Sequence, residues 1–218
     1  MKFFTLDTVF QFSWGQVVTA FWQRYPNPNS KHVLSEDVIE RWLCGDKLFT
    51  KRLIQKKGSI PKWGERIITG CSHAYVVEES MLDLASHTLT TYTRNINLKE
   101  ISTIDEKCVY TPTGEDGGQH TMCQRFGWVA SKVRFSGGMI EKFAFHKFKK
   151  STVKSALGFQ FVLNRLFTPD FETEHKSRTE KLKDSAKKAK ELAKSSAEKA
   201  KLKVLHKSSC DGHTDSKS

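Results

Sequence analysis

The sequence predicts an α+β fold in which a curved antiparallel sheet of about seven strands grips one long helix, followed by a helical or disordered tail. Three observations predict it. Short alternating stretches bounded by turn residues succeed one another between residues 32 and 135. A stretch of helical period precedes them and a longer one follows. Beyond about Asp170 the large apolar residues almost vanish, so only the earlier part of the chain can build a core. The predicted organisation is a folded domain over residues 1–170 and a tail over 171–218.

The first strand is expected over residues 3–12. Ser13 is a suitable cap for a helix starting at Trp14, whose Val17, Val18, Phe21 and Trp22 fall at helical spacing. Pro26 is expected to end that helix, leaving Arg24 at its close, and Pro26 with Pro28 makes the next segment a rigid elbow. Strands follow at 32–42 and 48–55, joined by a turn at Gly45-Asp46. Four more are expected at 73–82, 88–96, 101–111 and 119–135, with a hairpin tip at residues 114–118. Short connections imply an antiparallel meander. The long helix is expected over 139–166, with Ile140, Phe143, Phe148, Phe159, Val162, Leu163 and Leu166 largely on one face.

Between the second hairpin and the next strand, residues 56–70 break the rhythm. Turn residues flank a short amphipathic middle carrying Trp63, Ile67 and Ile68. This segment reads equally well as a mobile lid or as a connecting helix packed flat on the sheet. In the tail, residues 185–190 recur as 196–201 at a period of eleven, which keeps alanines on a drifting stripe and resembles late-embryogenesis-abundant repeats. That stripe is too poor in large residues to form a core. Past His206 the composition reads as disorder.

Net charge is +12, with thirteen Lys or Arg against eight Asp or Glu in residues 171–218. Such a balance favours nucleic acid, anionic membrane or an acidic partner. No RNA-recognition signature accompanies it, and the tail mixes acids with its lysines, so no nucleic-acid partner is expected, and a basic-tail nucleic-acid or regulatory binding protein is the alternative reading. The five cysteines show no metal-ligand spacing and read as buried or incidental thiols. No apolar run approaches the roughly 20 residues that span a bilayer, and the first residues read as neither a secretory signal nor an Arg-rich transit peptide. Catalytic signatures such as GxSxG, HExxH and phosphate-loop patterns do not occur. The sequence therefore predicts neither an enzyme nor a cofactor or metal site.

Anion binding is the chemistry the residues offer. Arg24 stands beside Phe21 and Trp22, and a guanidinium grips phosphate bidentately where lysine supplies a point charge. A buried Arg24 needs a counter-anion, which is either a ligand or one of the acidic residues of the folded part. Lys147, Lys150 and Lys154, spaced by three and four, share a helix face that is either solvated surface or the polar rim of a cavity.

The segment Phe21-Trp22-Gln23-Arg24-Tyr25-Pro26-Asn27-Pro28 resembles the FxxRYPNP signature of the PRELI/MSF1 domain family. The likeness extends over residues 1–167 and includes His32-Val33-Leu34-Ser35-Glu36-Asp37, Lys51-Arg52-Leu53, Pro61-Lys62-Trp63, Thr91-Tyr92-Thr93-Arg94-Asn95-Ile96 and Glu106-Lys107-Cys108-Val109-Tyr110. The spacing of Lys147-Phe148, Lys154 and Gly158-Phe159 also fits. The resemblance implies a helix-grip, START-like pocket for one phospholipid, covered by a loop at about residues 60–72. It implies headgroup contacts from Arg24, His32, Lys56, Lys147 and Lys154, with serines at positions 59 and 151 where some relatives are polar or basic. Ile60, Trp63, Ile67 and Ile68 are the implied membrane contacts. The PRELI branch of that family implies a carrier of phosphatidic acid in the mitochondrial intermembrane space, feeding cardiolipin synthesis, paired with a small twin-CX9C protein and docking transiently on anionic membranes. The slowmo branch implies phosphatidylserine instead.

Overall fold

The computed structural model describes residues 1–57, 73–99, 101–114, 118–133, 137–169, 171 and 180. The chain divides into two units, Met1–Thr168 and Pro169–Ser218. The first is an antiparallel meander closed by a helix. Its strands are β1 (Lys2–Phe10), β2 (Val33–Cys44), β3 (Lys47–Lys57), β4 (His73–Asp83), β5 (Thr88–Asn95), β6 (Ser102–Thr113) and β7 (His120–Ser131). Helix α1 (Trp14–Phe21) lies between β1 and β2, and helix α2 (Gly137–Phe167) follows β7. The strand order is β1-β7-β6-β5-β4-β3-β2, so the first strand returns to pair with the last and β2 is left at an edge. The tail, the loop at 60–72 with its four apolar residues, and Cys71 and Cys210 lie outside the described residues, apart from Phe171 and Glu180 in the tail.

Local chemistry explains the elements. Ser13 accepts from the Gln16 amide and the Gln16 side chain accepts from the Ser13 amide, a reciprocal cap that starts α1. Inward strand positions alternate with outward ones: Thr50, Arg52 and Ile54 on β3, then Val76, Glu78 and Ser80 on β4, are buried, with more accessible neighbours between them. Such alternation fixes which residues face the helix, because a slip of one position would turn every side chain over.

One expectation is corrected. Helix α1 stops at Phe21, well before Pro26, as its last turn tightens and the Gln23 amide donates to the Ala20 carbonyl at 3.0 Å. Arg24 therefore sits in the elbow beyond the helix rather than at its end. On α2, Phe143 lines the inner face as expected although 39% exposed, and Thr152 and Gly158 are buried on the helix as well. The elbow itself has a cis Tyr25-Pro26 bond, and a 3-10 turn at Pro28–Ser30 is capped by Asn27.

The solid core sits at one end, where Phe10, Trp14, Val17, Phe21, Leu89 and Tyr110 meet Phe159, Val162 and Leu163 of α2. Two close approaches seat the helix. The Phe148 ring lies where a side chain at Gly127 would begin, 2.6 Å from its Cζ. Asn27 occupies the corresponding space at Gly158, with its Cγ at 2.9 Å. Neither position tolerates a Cβ without displacement.

Candidate lipid-binding cavity

Beyond the solid end the helix and sheet part, leaving a cavity of about 360 Å³. Its apolar lining includes Ile54, Val76, Ile104, Ile140, Phe148 and Phe159. The strands contribute polar groups as well: Glu78 from β4, Thr91 and Thr93 from β5, Glu106 from β6 and Arg125 from β7.

Arg24, His32, Lys56 and Lys147 all line this space. The elbow delivers Arg24 to its floor. Asn27 fixes the elbow there, donating to the Arg24 carbonyl at 2.7 Å and accepting from the Asn29 amide at 3.0 Å. His32 is placed by pairing with the end of β3, its carbonyl accepting from the Lys57 amide at 2.7 Å. Lys56 comes from β3 and Lys147 from α2. Lys154, about two turns further along α2, is exposed and does not line the cavity, although its charge still reaches His32. The face shared by Lys147, Lys150 and Lys154 is thus split: all three are exposed, but only Lys147 also lines the cavity.

Both counter-anion possibilities for Arg24 meet in one place. Arg24 faces the cavity and is ion-paired with Glu78. Glu78 in turn accepts from Arg52, whose Nε lies 3.0 Å from Oε1, and Arg52 also bonds Glu36. Both guanidiniums approach the Phe21 ring, with Arg24 at 4.4 Å and Arg52 at 4.6 Å from its centroid. A second pair, Arg125 with Glu106, lines the same cavity. Among the described residues, the two buried side-chain polar atoms without a hydrogen-bond partner are Arg24 Nε and Ser102 Oγ, and both residues line this space.

Protonation follows from this packing. Burial opposes the charge on Arg24, but the fields of Glu78, Tyr25, Glu36 and Tyr110 together more than offset it and hold the guanidinium firmly protonated. Burial likewise opposes ionisation of Glu78, yet Arg24 and Arg52 together keep its carboxyl below the usual range. Glu36 goes the other way, because burial outweighs its arginine neighbours. His32 is lowered by burial and then by Lys56, Lys154 and Lys147, so it is held neutral in a cationic surrounding that an anion would relieve. Burial also lowers Lys147.

Sequence reasoning missed Glu78 and Arg125, and had Arg52 and Glu106 only as parts of family motifs. The signal was present: each lies at an inward strand parity among apolar or small residues, a place where an ionised group needs a partner. Among the described residues no group of His, Cys, Asp and Glu is arranged to hold a metal ion, and no helix is long and apolar enough to cross a membrane. Cys108 and Cys123 are buried and Cys44 is exposed.

A seven-stranded antiparallel sheet closed over a hollow by one long C-terminal helix is the helix-grip, START-like fold. The Zhui aromatase/cyclase of Streptomyces sp. R1128 shares it, with a TM-score of 0.53 at 7% identity over 77% of this chain and 96% of that one. A Thermus thermophilus protein gives the same TM-score of 0.53 at 12% identity, over 77% of this chain and all of the other. Sequence narrows the assignment. The PRELI-like family matches residues 15–169, and the chain belongs to that family. It is similar to human "PRELI domain-containing protein 1, mitochondrial", at 39% identity over 89% of this chain and 86% of the relative. It is also similar to "Protein UPS1, mitochondrial" and "Protein UPS2, mitochondrial" of Saccharomyces cerevisiae. UPS1 is 32% identical over 72% of this chain and 90% of the relative, and UPS2 31% identical over 79% and 76%.

Proposed function

We propose that this protein carries phosphatidic acid from the outer to the inner mitochondrial membrane through the intermembrane space, supplying cardiolipin synthesis without chemistry of its own. Membership of the PRELI-like family, with relatives named as mitochondrial, supports a mitochondrial lipid-transfer role. The observation that carries the choice of cargo is the cavity itself. An apolar hollow ends in a protonated guanidinium with an unpartnered N–H, with His32, Lys56 and Lys147 on its walls. Acyl chains buried there are spared contact with water at about 25 cal/mol per Å². A phosphate monoester answers the cations. The two carboxylates of the described cavity lining, Glu78 and Glu106, are each paired with an arginine, which disfavours them as partners for the ammonium of phosphatidylserine.

In this reading residues 1–170 are the carrier and residues 171–218 an accessory tail. The basic surface docks on anionic membrane, Ile60, Trp63, Ile67 and Ile68 enter the interface, and Lys154 meets the headgroup on its way in. A small twin-CX9C protein is the heterodimer partner. The test is transfer between donor and acceptor vesicles of fluorescent phosphatidic acid, phosphatidylserine and phosphatidylcholine, with the unmodified protein and with Arg24→Gln. Phosphatidic acid is expected to move fastest and the variant to lose that transfer. Equal transfer of all three lipids, or undiminished transfer by a folded Arg24→Gln protein, overturns the reading.

A further inference from the structure

Resting on that reading, we infer that Glu78 is a built-in counter-anion that competes with the cargo phosphate for Arg24, and that Arg52 sets the strength of the competition. Arg52 is almost fully buried and does not line the cavity, so it acts through Glu78 as a positioning residue. The geometry is a shared carboxylate. One oxygen of Glu78 accepts from Nη2 of Arg24, while the other accepts from Nε and Nη2 of Arg52. Arg52 in turn holds Glu36 through Nη1. Two guanidiniums and two carboxylates balance one another at the cavity floor.

An arriving phosphate finds the Nε–H of Arg24 unclaimed and Nη2 occupied. Gripping Arg24 along its Nε–Nη2 edge, the fork that holds the unclaimed hydrogen, brings the phosphate into competition with Glu78 at Nη2. Glu78 gives it up without being stranded, because Arg52 remains on its other oxygen. Departure of the lipid reverses the swap. One charge-assisted bond replaces another in each direction, so the floor selects an anion and still lets it leave. The Arg24 guanidinium stays in place throughout, stacked on Phe21 and 5.1 Å from the Tyr25 ring centroid.

The consequence is a pair of effects of opposite sign. Glu78→Gln removes the competitor, and dissociation of cargo slows about tenfold. Arg52→Gln leaves Glu78 wholly to Arg24, and binding weakens about tenfold. Damage to the fold moves both in the same direction, which separates this role from a structural one. The experiment measures uptake and release of NBD-phosphatidic acid from phosphatidylcholine vesicles by the unmodified protein, both single variants and the charge-balanced Arg52→Gln/Glu78→Gln protein, with thermal melting to verify folding. The double variant keeps the test where a single one fails to fold, and it is expected to hold cargo at least as long as the unmodified protein. If the unmodified protein loads and the variants all release faster, only this inference falls. If the unmodified protein takes up no phosphatidic acid, the carrier reading falls and this inference with it.

Discussion

The two ends of α2 follow opposite rules. From Gly158 onward the helix is packed: Phe159 meets Phe10 and Tyr110 edge-on at 5.2 and 6.2 Å, and Val162 and Leu163 are fully buried. Toward Gly137 only Ile140, Phe148 and Thr152 are buried, while Met139 is 66% and Val153 51% exposed. Five lysines, Lys142, Lys147, Lys149, Lys150 and Lys154, crowd that half, and Arg165 is the single Lys or Arg of the other. One continuous helix thus secures the fold at one end and roofs a hollow at the other. In the proposed function, stability and cargo binding are therefore separable along its length.

Substitutions at the two ends are expected to sort accordingly. Phe159→Ala, in the packed half, is expected to cost about 3–5 kcal/mol of stability, read as a lowered urea midpoint. Gly158→Ala is expected to cost about 1–3 kcal/mol. It should also impair lipid uptake, because Asn27 must move and takes the backbone of Arg24 with it. Phe143→Ala, over the hollow, is expected to change stability by less than about 1 kcal/mol while reducing vesicle-to-vesicle transfer. A Phe143→Ala loss as large as that of Phe159→Ala would erase the distinction between the two halves.

The smallest expected effect is on pH dependence. The folded protein holds His32 below its ordinary value of 6.5, so the unfolded chain binds its proton more readily. Its contribution to stability is complete above that value and declines as pH falls through it. Glu78, held below its ordinary 4.5, contributes in full above that pH and loses its contribution under stronger acid. His32→Gln is expected to flatten the melting temperature on the acid side of neutrality and leave the deeper acid transition in place. Unchanged curvature on both sides would detach His32 from the cationic cluster.

Much of the architecture was legible because alternation and turn residues are local signals. The seven strands and both helices follow from parity and spacing, with differences at the ends. The cations of the cavity wall were legible through motif resemblance. The acidic half of the floor was not, for a physical reason: Arg52 and Glu78 face each other in the β3–β4 register, but the residues between those strands include a long segment whose length does not set the pairing. Glu106 and Arg125 likewise meet across β6 and β7 on a diagonal. Inward parity marked these residues as needing partners; only the sheet register names them. Helix α1 was expected to run to Pro26 because a proline is a conspicuous stop, yet the chain turned earlier, and that early turn brings Arg24 to Glu78.

The most direct measurement is mass spectrometry of lipids extracted from the purified protein after expression with and without the proposed twin-CX9C partner. Stoichiometric phosphatidic acid is the predicted result. A protein that emerges without lipid, or that carries only phosphatidylcholine, contradicts the claim that the hollow end of α2 is built for an anionic headgroup.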